Sequence, residues 1–255
     1  MRIDNYLYEN NKFSSRTKAK EAVERGEVLV NGRAVKPSFD VSDSDTITFA
    51  EDAGIYVSNG AFKLEKALND FDFNVLGKTV ADVGASTGGF TQCLLLSGAK
   101  RVFALDVGES LLHPSLAQDE RVVVLDNVNA RFMTEQTFGC LLDAVVTDVS
   151  FISLTYILAP IYSVLKSDGE AVVLIKPQFE CGQKNLTKNG IVKDKSVRYD
   201  VCKKILAYSE SVGFGVVGLS VAPIRQGKNV EYLLHLAKGR DSAVNEGVVR
   251  DVCLK

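Results

Sequence analysis

The sequence predicts an α/β protein, with a mostly parallel seven-stranded sheet in a large domain and a small α+β domain before it. Three observations predict it. Seven short apolar runs fall at 80–83, 101–106, 121–125, 142–148, 170–176, 214–221 and 230–236, with helical patterns between most of them. Such alternation suits a parallel sheet covered on both faces. The run Val80–Val83 ends in Gly84, then come Gly88-Gly89, and then Phe90, Leu94 and Leu95 at helical spacing. That order reads as buried strand, tight turn and helix start. Finally, residues 1–50 carry their own helix and hairpin signals, apart from the rest.

A chain of 255 residues holds one sizeable domain plus a small one. The formal net charge of −2 gives no global basic signal, so any nucleic-acid partner must be gripped by local patches. The five cysteines are scattered without a C-x-x-C pair, as expected of free thiols in a reducing compartment. His113 and His235 are the only histidines, so no histidine-rich metal site is expected. Met1 leads directly into Arg2-Ile3-Asp4, and no apolar run has membrane-spanning length. The expectation is a soluble, cytoplasmic protein with no membrane and no metal among its partners.

In order along the chain, Ser14 or Ser15 caps a helix over residues 16–25, with Ala19, Ala22 and Val23 as its apolar stripe. Lys12, Arg16, Lys18 and Lys20 lie in an acid-free stretch, and Arg16 and Lys20 are one turn apart. Such a face either grips phosphates or is simply solvated. Val28–Val30 and Arg33–Val35 flank Asn31-Gly32, a two-residue hairpin signal. Residues 51–58 are a connector, and the large domain runs over 59–255. It opens with a helix from Gly60, and further helices are expected at 152–165 and 196–212. The polar segment 177–195 is long for a plain connection, and such loops often serve as lids.

Chemistry is expected at the strand ends, where an open α/β sheet presents its ligand crevice. Glycine at the first turn allows close backbone approach, and a helix start offers N–H groups to an anion. The spacing is not G-x-G-x-x-G, so the dinucleotide fingerprint is not met. Asp106 ends the next strand, where an acid can bind a ribose diol. A glycine turn with that acid suggests S-adenosylmethionine, beside the plainer reading of an ordinary strand–helix corner. Asp148 and Lys176 end two more strands, and Glu231 lies in an otherwise apolar strand, where a carboxylate pointing inward needs a partner.

Two resemblances sharpen this. Arg2-Ile3-Asp4, Ser15-Arg16 and Gly26-Glu27-Val28-Leu29-Val30-Asn31-Gly32 resemble the RNA-binding module named after ribosomal protein S-four. The resemblance implies that Arg2, Arg16, Lys18, Lys20 and Arg33 contact RNA. GAFKL, TDVSFISL, IKPQFE and NVEYLL resemble the FtsJ-like ribose 2′-O-methyltransferases, and more closely their TlyA branch, which joins an S-four module to such a domain. The implied fold is Rossmann-like. The implied catalytic tetrad is Lys63, Asp148, Lys176 and Glu231. The implied S-adenosylmethionine ligands are Asp82, Gly84, Ser86, Thr87, Gly88, Gly89 and Phe90 of DVGASTGGF, Asp106 and Val107 of ALDVG, and Asn129 of Asn-Ala-Arg.

The implied activity is cytidine 2′-O-methylation of ribosomal RNA, with ribosomal subunits as partners. Within the branch, short forms act on the large subunit, which a start directly at the module implies; the tail after Lys238 points away from that. The chain departs from the family in Ser58-Asn59-Gly60, where a basic residue is usual, and in Leu125-Asp126-Asn127-Val128, where Glu-Arg-Thr is common. Two other readings stand beside it. One is a membrane-damaging hemolysin, a label attached to this family, for which the sequence has no long basic amphipathic helix. The other is an RNA-binding module on an inactive domain, which the intact tetrad opposes.

Overall fold

The computed structural model describes residues 1–254 apart from 11, 14, 25, 32, 43, 44, 50–55, 225 and 226, and only the backbone of 33, 48 and 49. The chain forms two compact units, Met1–Tyr56 and Val57–Lys255. The expected connector over 51–58 falls largely outside the described residues.

The small unit has helices α1 (Ile3–Glu9) and α2 (Arg16–Glu24) and strands β1 (Val28–Val30), β2 (Arg33–Ala34) and β3 (Ile47–Phe49). The strands form an antiparallel sheet in the order β2-β1-β3. Ser15 caps α2, its Oγ accepting from the Lys18 amide at 3.2 Å, while Ser14 lies outside the described residues. Ala19, Ala22 and Val23 recur at helical spacing and meet Ile3, Leu7, Val28 and Val30 in a separate core. Helix α1 and strand β3 are additions to the sequence reading. Ile3 and Leu7 are four apart and point inward, which is a full helical signal in too short a run to stand alone.

The large unit opens with α3 (Ala61–Phe71), whose Ala61, Leu64 and Ala67 face inward. Then come β4 (Thr79–Val83), α4 (Gly89–Leu96), β5 (Arg101–Leu105), α5 (Pro114–Ala117), β6 (Val122–Leu125), α6 (Glu135–Phe138), β7 (Leu142–Thr147), α7 (Leu158–Val164), β8 (Leu165–Ile175), α8 (Pro177–Glu180), α9 (Lys195–Val212), β9 (Phe214–Val221), β10 (Tyr232–Lys238) and α10 (Glu246–Leu254). The seven-stranded sheet has the order β6-β5-β4-β7-β8-β10-β9. β4 through β8 pair in parallel, and β10 runs antiparallel to both β8 and β9. Helices α7, α9 and α10 cover one face of the sheet in a single apolar cluster, and α3 and α4 pack near the other. The chain passes from the β4-β5-β6 half of the sheet to the β7-β8 half next to β4, so a crevice opens at the strand ends there.

Three boundaries differ from expectation. Glu231 is not inside a strand: β10 begins one residue later, at Tyr232, which pairs with Ile175. The helix expected over 152–165 breaks into a 3-10 turn at Leu154–Tyr156 and α7, because Ser153 caps the turn and Glu180 holds the Leu154 amide at 2.7 Å. The long segment after Lys176 is built rather than open: α8, a 3-10 turn at Gln183–Asn185, and a tight turn in which the Thr187 amide bonds the Ile191 carbonyl.

Candidate active site

The turn after β4 is shaped by three residues with positive φ: Gly84 (84°), Ser86 (48°) and Gly88 (96°). Gly88 is demanded by its own backbone, whose φ of 96° side chains rarely adopt, and the methyl ends of Leu112 and Leu116 lie over it. Asp106, just past β5, accepts from the amides of Ser86 and Gly108, each at 2.9 Å, and so ties the turn to the neighbouring strand end. A cavity of about 940 Å³ opens between this turn and the segment after β7. Gly84, Ser86, Asp106, Val107 and Asn129 line it. Asn129 Oδ1 accepts from the amide and Nε of Arg131, at 3.1 and 3.2 Å, which fixes its side chain at the rim.

The other turn residues divide. Ser86, Thr87, Gly89 and Phe90 border a smaller cavity of about 370 Å³ that also touches Lys63, Asp148 and Lys176. Asp82 lies beneath the turn with 0% exposure, where it meets Thr91 Oγ1 at 2.7 Å. The structure thus gives Asp82 no ligand-facing surface and places it as a support of the α4 start. Burial, against the Thr91 bonds, pushes its carboxyl up to about 7.

The four charged residues that the sequence singled out stand in one row of alternating charge. Glu231 Oε2 meets Lys63 Nζ at 2.7 Å, Lys63 Nζ meets Asp148 Oδ2 at 3.0 Å, and Asp148 Oδ1 meets Lys176 Nζ at 2.6 Å. Burial pushes the Asp148 carboxyl up, but Lys176 and Lys63 outweigh it and hold it below the usual carboxylate range. Burial pulls Lys63 down, but Asp148 and Glu231 outweigh it and keep its amine above the usual lysine range. Each ion has opposite charge beside it, which is what lets the row persist away from water.

Lys176 is 7% exposed and donates to Ser150 Oγ at 2.9 Å and, weakly, to the Asp148 carbonyl at 3.4 Å. Gln178 reaches Glu231 Oε1 at 3.4 Å. Sequence reasoning did not single out Ser150 or Gln178, although both lie inside the quoted segments TDVSFISL and IKPQFE. Nor did it find Phe151, which is 90% exposed at the large cavity, has φ 62° and faces Phe179 with ring centroids 5.1 Å apart. A bulky residue in that backbone region is a strained exception, held there by its surroundings.

A family model described as FtsJ-like methyltransferase matches residues 56–238. The chain belongs to the FtsJ-like methyltransferase family. A second model, described as S4 domain, matches residues 1–47. The chain is 39% identical over 253 residues to the 16S/23S rRNA (cytidine-2'-O)-methyltransferase TlyA of Mycobacterium tuberculosis, covering 98% of this chain and 94% of that protein. It is 39% identical over 238 residues to a protein named Hemolysin A from Brachyspira hyodysenteriae, covering 92% and 99% respectively. A solved hemolysin candidate from Streptococcus thermophilus superposes with a TM-score of 0.79 at 36% identity, over 100% of this chain and 94% of that one.

In the S4 domain, Arg2 and Arg16 both pair with the buried Asp4. Lys18 and Lys20 are exposed, and Lys20 lies 3.7 Å from Glu24. Helical spacing puts Arg16 and Lys20 on one flank of α2 and Lys18 on the other. The side chain of Arg33 lies outside the described residues. Among the described residues no group of three or more His, Cys, Asp or Glu could hold a metal ion, and no helix is long and apolar enough to cross a membrane.

Proposed function

We propose that this chain transfers a methyl group from S-adenosylmethionine to the ribose 2′-hydroxyl of a cytidine in ribosomal RNA. The observation that carries the reading is the row Glu231–Lys63–Asp148–Lys176 beside a cavity bordered by a glycine turn and a strand-end carboxylate. The cavity fits the cofactor chemically. Its volume of about 940 Å³ is that of a small-molecule site. Asp106 offers acceptor oxygens to a ribose diol, Asn129 and Val107 border the neighbouring wall, and the Gly84–Gly89 backbone offers a cradle for the methionine end. S-adenosylmethionine supplies the electrophilic methyl when bound.

The chain's own residues do the rest. A hydroxyl is a weak acid and must lose its proton as the new bond forms. Lys176 has two firm partners, Asp148 Oδ1 and Ser150 Oγ, and one weak one, the Asp148 carbonyl at 3.4 Å. The weak bond is the one a substrate oxygen displaces. Lys176 orients the hydroxyl and, once it has released its own proton to water, takes the hydroxyl's proton, while Lys63, braced by Glu231, holds Asp148 from the other side. Orientation in line with the methyl supplies much of the rate. Phe151, with Phe179 behind it, offers an apolar face to a splayed base. The S4 domain supplies further phosphate contacts through Arg2, Arg16 and Lys20.

The decisive experiment is mass mapping of ribosomal RNA after incubation with the protein and S-adenosylmethionine. A methyl on a cytidine ribose, mostly lost with Lys176→Arg at a matched early time, is the expected result. Arginine keeps the charge but cannot release a proton at any working pH. The variant should bind the cofactor normally yet transfer about a hundredfold more slowly. Lys66, which pairs with Asp70 at 2.8 Å away from the row, is the control and should tolerate arginine. Normal transfer by Lys176→Arg refutes the assigned role.

A further inference from the structure

Helix α1 begins Arg2-Ile3-Asp4, and the turn that buries Ile3 and Leu7 carries Asp4 inward with them, to 2% exposure. A carboxylate so placed needs partners. It has two, from two elements. Arg2 donates in a fork, Nε to Oδ1 at 3.1 Å and Nη2 to Oδ2 at 3.0 Å. Arg16, at the start of α2, donates from Nε to Oδ2 at 3.3 Å. Burial pushes the Asp4 carboxyl up, but the two arginines outweigh it and hold it below the usual range.

This arrangement is not needed to seat either cation. The Arg2 and Arg16 side chains remain 46% and 51% exposed, so water could solvate them without Asp4. A cation in the first turn of a helix is also unfavourable toward the helix dipole. A buried ion pair, moreover, is a poor source of stability. What Asp4 does achieve is orientation. It uses both Nε groups and one Nη of Arg2, which leaves Arg2 Nη1 and both Nη groups of Arg16 unbonded to it. Arg2 Nη2 and Arg16 Nε share one oxygen, Oδ2, so the remaining donors of the two guanidiniums are kept within one small patch. Planar, forked donors of that kind match phosphate oxygens, and fixing them in advance removes an ordering cost from binding.

We propose that Asp4 is a positioning residue that holds Arg2 and Arg16 as a two-guanidinium clamp for a single backbone phosphate of the substrate RNA. The proposal rests on the reading that this domain binds ribosomal RNA.

The test measures binding of the full chain to labelled 16S and 23S rRNA transcripts across a salt series. The salt slope counts phosphates engaged, about 0.9 for each, while affinity at fixed salt also registers geometry. Asp4→Asn keeps both positive charges, so its slope should match the parent while affinity falls roughly tenfold or more, the loss expected of misplaced charge-assisted bonds. Arg16→Lys leaves Asp4 with a cation and is the arm that survives if Asp4→Asn disturbs α1. It should behave likewise, because a point charge lacks the fork. Arg2→Ala with Arg16→Ala should flatten the slope by about 1, the value for one shared phosphate. S-adenosylmethionine affinity, unchanged in all three, confirms that the large unit is intact. Asp4→Asn binding as tightly as the parent, or more tightly, overturns the proposal, since the carboxylate then only masks charge. Parent affinity in Arg16→Lys, or a slope change of about 2 in the double variant, overturns the clamp. An unchanged slope in the double variant instead overturns the RNA-binding reading of these arginines.

Discussion

At the scale of single residues, burial and charge partners decide what each group can do. Asp82 and Asp148 are both acids at the ends of buried strands, yet they differ. Asp148 faces two amines and stays ionised, whereas Asp82 faces a hydroxyl and is pushed up to about 7. That raised value has a consequence for stability. The folded state holds a proton on Asp82 between about pH 4 and pH 7 that the unfolded state has released, so stability falls as pH rises through that window and levels off above it. Asp82→Asn keeps an acceptor for Thr91 and removes the charge. Its melting temperature, measured against the parent at pH 5 and pH 8, should gain on the parent at the higher pH, by an amount on the order of a few kcal/mol in stability. A gap that does not change with pH refutes the assignment.

At the scale of elements, helix α2 shows how a face divides. Its inward stripe of Ala19, Ala22 and Val23 leaves two flanks. Arg16 and Lys20 occupy one of them and Lys18 the other. Lys20→Ala should therefore flatten the salt dependence of RNA binding by about 1, while Lys18→Ala leaves the slope near the parent value. Equal changes in both would show that the whole helix, rather than one flank, meets the RNA. The glycine turn between β4 and α4 makes a related point. Its glycines read as ligand cradle in the sequence, but Gly88 is also required by a backbone φ of 96° in the turn itself. A one-dimensional pattern cannot separate a glycine kept for the turn from one kept for a ligand.

At the scale of the whole molecule, two units with separate cores should unfold separately. Calorimetry of the intact chain should resolve two transitions. S-adenosylmethionine should raise only the one belonging to Val57–Lys255, since a ligand stabilises the unit that binds it. A single transition that shifts as one with the cofactor would show that the units fold as one body. The hemolysin name carried by relatives predicts instead that the purified protein empties liposomes. Among the described residues no helix is long and apolar enough to cross a membrane, and release of dye from loaded liposomes is the measurement that decides that name's meaning here.

The sequence by itself determined what short-range pattern can encode: the hairpin around Asn31, the capped helix after Ser15, the strands with buried faces, the glycine turn, and charged residues just past Leu105, Thr147 and Ile175. Each of these depends on neighbours a few positions away. The helix α1 and strand β3 escaped because their signals are too short to outweigh the background, and Glu231 was misplaced by one residue because apolar pattern does not mark where a ladder begins. The meeting of the tetrad was decided only by tertiary structure. Lys63 and Asp148 are 85 positions apart, and Lys63 and Glu231 farther still. They meet because β10 enters antiparallel between β8 and β9. Its first residue, Tyr232, therefore pairs with Ile175 at the far end of β8, and Glu231 is delivered to the open end of the sheet, where it meets Lys63. A parallel β10 would have carried Glu231 to the opposite end, and strand direction is set by the packing of the whole sheet, not by any local run of residues.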